Sequence, residues 1–523
     1  MRHFPDLKKN ALYADLWSSI QERFDRDETP QSLAQWAESA GLILDGKPFS
    51  FTKHEYLRAP YDDDHPHIAV MKATQGGWST FGILRSIYSL RFRGFKGIGY
   101  YFPSKADVID FSRSRVDPLI EENPETLGAW LRDTDSAQLK RIGSGYIYFR
   151  GMISTVGLKS IPLDALVLDE LDEGNQTAID KARERMAHSA HKEILMLSNP
   201  TIPDFGIDKA FQLTDQRTWL LKCRACGHWT DLVEGFPGCL VELRDRTIRA
   251  CERCRGELDP SVGGWIPKKP AVTERRGYQW SQLHSHYVDP GEILHQFRTT
   301  NNLQDFHNLK LGLAYIEPHN RLSVEEVLAC CGSDGIASSD PGPCYMGVDQ
   351  GKGLHVVVGR KHPSKAGRIV HLGEYCDWSE FDGLMRNFTV TRCVVDAMPE
   401  VRNARAFALR FPGRVFLNYY SETHKGRPRW DEGNLTVVCN RTESLDASGR
   451  EIHDGQIVLP KQCEVVEEFT KHCHAIAKRL EEDEETGSKV YRYVRLGADH
   501  FRHAFNYESL ARRESPQLLF PGL

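Results

Sequence analysis

The sequence predicts an α/β protein of more than one domain, and three observations carry that expectation. Ala165-Leu166-Val167-Leu168-Asp169-Glu170 and Glu193-Ile194-Leu195-Met196-Leu197-Ser198-Asn199 are apolar runs of strand length that end in polar residues. Continuous runs of this kind suit strands buried on both faces of a parallel sheet. Between them, Thr177 to Lys192 is polar, helix-favouring and long enough for a βαβ crossover. At 523 residues the chain also exceeds what one hydrophobic core usually serves, so two or three domains are expected.

Composition narrows the class. Hydrophobic residues at 40% and charged residues at 27% describe an ordinary soluble globular protein. No apolar run approaches the roughly 18 residues that span a bilayer. The start, Met1 to Lys9, lacks the apolar core of a signal peptide, so a cytoplasmic protein is expected. Thirteen cysteines, an odd number in a long chain, point to reduced thiols and a metal site rather than a disulfide scaffold. A net charge of −5 gives no global pull toward nucleic acid, so any DNA contact must come from local basic patches.

In chain order, residues 1–45 read as an amphipathic helical cap, with Trp17, Ile20, Phe24, Leu33, Trp36 and Leu42 among polar residues. Phe49 and Tyr56 lie in an aromatic stretch that can pack on an adenine ring or simply in a core. Ile68-Ala69-Val70-Met71 then runs into Lys72-Ala73-Thr74-Gln75-Gly76-Gly77-Trp78-Ser79-Thr80 and a helix over about 81–90. A phosphate loop needs backbone N–H groups at a helix N-terminus, Gly where the backbone approaches, a Lys, and a Ser or Thr for Mg²⁺. Here Trp78 stands where the usual Lys would be, and Lys72 lies at the front of the loop. Arg85, Arg91, Arg93, Lys96, Arg113 and Arg115 can touch DNA phosphates, reach a neighbour's ATP, or form a solvated face. Ile147 to Gly151 reads as a hairpin or sheet-edge strand. At the end of the first apolar run, Asp169 would hold Mg²⁺ and Glu170 would orient and deprotonate a water attacking a γ-phosphate. Read alone, the pair is also what a surface after a buried strand looks like.

The loop wording Met71 to Ser79 and the order of phosphate loop, Asp-Glu strand and Ser198-Asn199-Pro200-Thr201 strand resemble the ATPase of tailed-phage terminase large subunits, particularly the lambda-like branch. That branch carries a deviant loop with its Lys in front and an aromatic in the usual Lys position. The resemblance implies an ASCE-type P-loop ATPase, with Ser198 to Thr201 as its coupling motif.

Cys223-x-x-Cys226 and Cys251-x-x-Cys254 follow, with 24 residues between the pairs. Two such knuckles can present four thiolates tetrahedrally to one structural Zn²⁺. Cys239 and His228 are spare ligands. Arg244, Arg246, Arg249, Arg253 and Arg255 in the same segment can meet DNA or be solvated. Residues 291–331 read as helices, and Ser333 to Pro343, rich in Gly, Ser, Pro and Asp, as a domain boundary. Beyond it, Tyr345 to Gly351 and Leu354 to Gly359 read as two strands joined by a Gly-containing turn. Asp349 ends the first strand, Asp396 ends a later apolar strand, and Asp499 lies in the first turn of a C-terminal helix, where the helix dipole favours an acid. Three converging carboxylates can hold two divalent ions about 4 Å apart for phosphodiester cleavage. Asp446 and His500 are further candidates, and Glu481 to Glu485 reads as a hairpin tip.

The terminase resemblance extends to these parts: a zinc ribbon inserted after the ATPase core, then an RNase H-like nuclease with Asp349, Asp396 and Asp499 as its acids. The expected organisation is a cap (1–45), a P-loop ATPase core (46–215), a zinc-ribbon insertion (216–275), a helical region (276–332), a linker (333–343) and a nuclease (344–523). Implied with it are ATP, Mg²⁺ or Mn²⁺ at both catalytic sites, and structural Zn²⁺. Double-stranded DNA, a small terminase subunit and a portal protein are the implied partners. A homo-oligomeric ring on the procapsid, no membrane, and action in the host cytoplasm complete the picture. Two rivals remain: a helicase-like repair or transposition ATPase with a nuclease, and a zinc-ribbon assembly factor whose ATPase is dead because Trp78 replaces Lys.

Overall fold

The computed structural model describes residues 30, 32–152, 161–175, 179, 183–300, 302–317, 320–351, 353–482 and 489–513. These form two compact units, Met1–Tyr315 and Ile316–Leu523.

The first unit is built on one twisted sheet. Its parallel strands are β1 (His67–Lys72), β2 (Gly97–Phe102), β3 (Gly145–Gly151), β4 (Ala165–Asp169), β5 (Glu193–Ser198), β6 (Arg217–Lys222) and β7 (Arg276–Trp280). Their spatial order is β6-β7-β1-β5-β4-β2-β3, with every adjacent pair parallel. β1, β2 and β4 are buried almost throughout, as their unbroken apolar runs require. β3 pairs antiparallel with Leu139–Ile142, so the expected hairpin is present. The strand ending in Ser198 lies between the loop strand and the Asp-Glu strand. All three therefore deliver their carboxyl ends to one edge, the place where open α/β sheets bind ligands.

Several expectations need adjustment. Arg276–Trp280 falls at the start of the region expected to be helical, yet it is a buried strand between β6 and β1. Its alternating Tyr278 and Trp280 were masked by the polar Arg-Gly start. β6 belongs to the same sheet and pairs antiparallel with Gly263–Pro267, so the inserted part lies between those two strands. Trp17, Ile20 and Phe24 lie outside the described residues; Leu33–Ser39 is a helix capped by the Ser32 side chain, with Leu33 and Trp36 buried. Most of the expected crossover helix at Thr177–Lys192 also lies outside them, apart from a 3₁₀ turn at Glu184–Met186.

The second unit carries an eight-stranded sheet, of which five strands matter here. β8 (Cys344–Gln350), β9 (Leu354–Arg360) and β10 (Gly367–Tyr375) are antiparallel neighbours, while β11 (Val390–Asp396) and β12 (Val415–Tyr420) run parallel to β8 on its other side. Helix α1 (Glu464–His474) precedes α2 (His500–Arg513), which packs across β8 at Gly347. A side chain at Gly347 would collide with the Ala504 carbonyl and the Glu508 amide, so only glycine admits the helix this close. Ser333 to Pro343 is no free linker. Gly332, Ala337 and Asp340 donate backbone N–H groups to Leu459, Val370 and Asn387 of this unit. The composition of a linker and of a lead-in to a buried strand is the same. Antiparallel strands Ile476–Glu482 and Lys489–Arg495 flank the expected hairpin tip, whose residues 483–488 lie outside the described ones.

Candidate functional sites

β1 ends at Lys72, and the chain then loops through Ala73 to Gly77 into a helix over Trp78–Phe92. Gln75 and Gly77 take left-handed backbone, at φ 62° and 75°, which turns the loop over the helix N-terminus. A side chain at Gly76 would press into the rings of Trp280 and Trp78 at 2.7–2.8 Å, so the loop lies tight against the core. The loop is pinned from behind. Ala73 donates its N–H to Trp280 O, Thr74 to Leu309 O, Gln282 Nε2 to the Thr74 hydroxyl, and the Tyr56 hydroxyl to Gly76 O.

Trp78 is buried among Tyr56, Phe81, Trp265 and Tyr278. Its ring anchors the helix start, so of the expected nucleotide contacts only its backbone can serve. Tyr56 and Phe49 likewise pack against protein rings, Tyr56 on Trp280 and Phe49 on Phe51 and Tyr61.

Lys72 lies beside the acid strand. Its ammonium is buried, donates to Glu170 Oε1 at 3.0 Å and lies 4.0 Å from Asp169 Oδ1. Burial opposes its charge, but Glu170 and Asp169 outweigh it and hold its pKa above the ordinary lysine value. Asp169 is fully buried and accepts the Tyr100 hydroxyl at 3.0 Å, with the Ser79 side chain near enough to lower its pKa. Burial raises its pKa to about 6, with Lys72 pulling the other way. Glu170 holds φ 53°, a strained setting for a non-glycine residue and one that clusters at active sites. Sequence reasoning thus finds Lys72, Ser79, Asp169 and Glu170, and the fold brings all four together. Thr80 follows Ser79 in the first turn of the helix.

Sequence reasoning missed Asp172. This buried carboxylate accepts N–H groups from Thr201 (2.8 Å) and Ile207 (2.6 Å) and the Thr201 hydroxyl (2.8 Å). Asp172 N–H in turn donates to Ser198 Oγ at 3.2 Å, and Asn199 Nδ2 donates to Lys72 O at 2.9 Å. The Ser198–Thr201 turn is thereby tied to both the acid strand and the loop strand. An acid two residues past Glu170 was the available signal.

The four cysteines meet. Cys223 and Cys254 sulfurs are 3.6 Å apart, as are those of Cys226 and Cys251, and all four lie within 4.8 Å of one another. Four thiolates about 2.3 Å from one zinc would stand about 3.8 Å apart, so the donors fit. The two knuckles repeat one turn. Gly227 donates to Cys223 O and Arg255 to Cys251 O, each at 2.9 Å, with Gly227 and Arg255 both left-handed. Cys239 instead donates to Leu232 O and is no ligand; His228 is outside the cluster. Arg249 is buried on the carbonyls of Leu283, Ser285 and Val288, and Arg85 and Arg93 are paired with Glu193, so none of these three offers a DNA surface.

In the second unit Asp349 on β8 and Asp396 on β11 stand one step beyond the paired Val348 and Val395. Asp396 is pushed up to about 6 by burial and by the nearby Asp349 charge. His500 Nδ1 lies 2.8 Å from Asp349 Oδ2. Asp499 faces Arg495 at 3.2 Å and His503 at 3.4 Å; burial raises its pKa, but the His503 contact and these charges hold it below the ordinary value. Among the described residues the three carboxylates do not form one tight cluster like the cysteines. Asp446 is bonded to Lys478 and Tyr493 and lines a cavity of about 310 Å³ away from them.

Residues 48–262 match the family described as phage terminase large subunit gpA, ATPase domain. The chain is similar in fold to the crystal structure of the HK97 bacteriophage large terminase, at 12% identity and TM-score 0.52, over 92% of this chain and 98% of that one. The large terminase of the thermophilic bacteriophage D6E aligns at 12% identity and TM-score 0.31, over 87% and 96% of the two chains. No curated protein matches the sequence.

Proposed function

We infer that this chain, whose residues 48–262 match the ATPase domain of the phage terminase large subunit gpA family, is the ATP-driven motor subunit that packages double-stranded viral DNA and cuts it to length. The observation that carries the ATPase part is the meeting of Lys72, Ser79, Asp169 and Glu170 at one sheet edge. Lys72 would serve the β- and γ-phosphates, with loop N–H groups from Gln75 to Thr80 around them. Ser79 and Asp169 would hold Mg²⁺, which when bound neutralises phosphate charge. Glu170, released by Lys72, would orient and deprotonate the attacking water. The Trp78 ring occupies the core, so its presence in place of Lys does not disable the site; this favours the motor over the inactive assembly factor.

The nuclease reading rests on topology and acids. A sheet ordered β10-β9-β8-β11-β12, with Asp349 and Asp396 on neighbouring strands and Asp499 at a helix across them, is the arrangement expected of an RNase H-like nuclease. Two divalent ions there would activate water and stabilise the leaving oxygen. The cysteine cluster would hold one structural Zn²⁺. Double-stranded DNA, a small terminase subunit, a portal protein and ring assembly in the host cytoplasm follow as the partners and setting of this role. The test is plasmid nicking with Mg²⁺ or Mn²⁺. Wild type should cut, chelator should stop it, and Asp349→Ala and Asp396→Ala should not cut while ATP turnover persists. A wild type that never cuts with any divalent metal sinks the nuclease assignment.

A further inference from the structure

Beside Asp349, across the β8–β9 ladder, stands His355, and beside His355 across the β9–β10 ladder stands Glu374. Glu468 reaches the same place from α1. One ligand atom from each of His355, Glu374 and Glu468 lies within 4.8 Å of the other two.

Three histidines crowd this corner, and hydrogen bonding sorts them. His472 accepts the Phe501 N–H on Nδ1 at 3.1 Å, so its Nε2 carries the proton and cannot bind a cation. His500 is committed to Asp349. His355 is only 4% exposed, and its buried Nδ1 has no hydrogen-bond partner among the described residues. Its Nε2 lies 3.9 Å from Glu374, beyond hydrogen-bond reach. The imidazole makes no hydrogen bond among the described residues, which is costly, and a cation on Nε2, the nitrogen facing Glu374, would complete that side of the ring. Glu374 and Glu468 repel each other at this separation unless a positive charge intervenes. The Glu374 carboxylate sits where a side chain on residue 353 would be, and Gly353 leaves that space open.

We propose that His355, Glu374 and Glu468 form a divalent transition-metal site of their own, next to but separate from the acids Asp349, Asp396 and Asp499. One imidazole and two carboxylates favour Mn²⁺ or a related ion over Mg²⁺, which prefers an all-oxygen shell and keeps its waters. The ion would tie α1 to the open edge of the β9–β10 pair. The site does not depend on the nuclease reading, because these ligands would bind whether or not the unit cuts DNA.

The experiment is Mn²⁺ titration of the full chain under excess Mg²⁺, read by electron paramagnetic resonance with detection of nitrogen coupling. Wild type should retain about one Mn²⁺ per chain with a nitrogen ligand. Glu374→Gln/Glu468→Gln changes two solvent-accessible carboxylates outside the core, and should weaken that ion about tenfold or more. Asp396→Asn should keep it. Absence of a Mg²⁺-resistant, nitrogen-coupled Mn²⁺ in wild type overturns the proposal. So does its survival in Glu374→Gln/Glu468→Gln, or its loss in Asp396→Asn alone, which would assign the ion to the aspartate site. Cleavage is scored separately, so failure of the nuclease reading would show in the nicking assay and not in this count.

Discussion

Lys72 and Glu170 show how one residue's role depends on its neighbour. The lysine's charge is kept in a buried place by two carboxylates, and the glutamate is held in a strained backbone conformation while bonded to that lysine. Glu170→Gln removes the base but leaves an acceptor for Lys72, so nucleotide binding should persist. Hydrolysis should fall by about 10²–10⁴, the usual worth of a general base. Equilibrium binding of a fluorescent ATP analogue beside single-turnover hydrolysis checks both halves. Undiminished hydrolysis would move the base elsewhere, with Asp169 and Asp172 as the nearest alternatives.

At the scale of elements, two pieces are held by polar groups that the core alone would not fix. Between Lys222 and Gly263 the large buried aliphatic side chains are Leu232, Leu240, Ile248 and Leu258, with Val233 and Phe236 packed against the core, and four thiolates on one ion would add to the order of the knuckles. Protein purified without chelator should carry about one Zn per chain by elemental analysis. Cys223→Ser should lose that zinc and make the segment protease-sensitive. Zinc at full occupancy in Cys223→Ser would refute the ligand set. Helix α2 is locked by Arg512, which is buried with Glu508 and Glu451 at 2.9 and 2.7 Å. Burial pushes the Glu508 carboxyl up and Arg512 pulls it back. Removing one member of such a buried network strands the other charge, so Arg512→Ala should cost about 3–5 kcal/mol in the second unit, read from its denaturant midpoint. A midpoint unchanged from wild type would mean that helix packing at Gly347 alone holds α2.

For the whole molecule, what could be read in the sequence is what is local. The loop, the Asp169–Glu170 pair and the paired knuckles are contiguous or regularly spaced, and the fold brings the residues of each together. What stayed hidden depends on residues far apart in the chain. Arg276–Trp280 becomes a sheet strand only because β6 and β1 flank it. Asp172 gains meaning from Thr201 and Ile207, and His355 from helix α1 more than a hundred positions away. Trp78 stands where a loop lysine is usual; the aromatic core around it accounts for the ring, and Lys72 lies beside Asp169 and Glu170. The domain boundary was misplaced because a Gly-, Ser- and Pro-rich stretch can be sewn to a unit by its backbone alone. The most direct measurement is ATP turnover by the full chain in the presence of double-stranded DNA, for wild type and Lys72→Ala at matched circular dichroism. Wild type should turn over ATP and Lys72→Ala should fall to background with its fold intact; equal turnover in both, or none in wild type, would contradict the assignment of this chain as a Lys72-driven packaging ATPase.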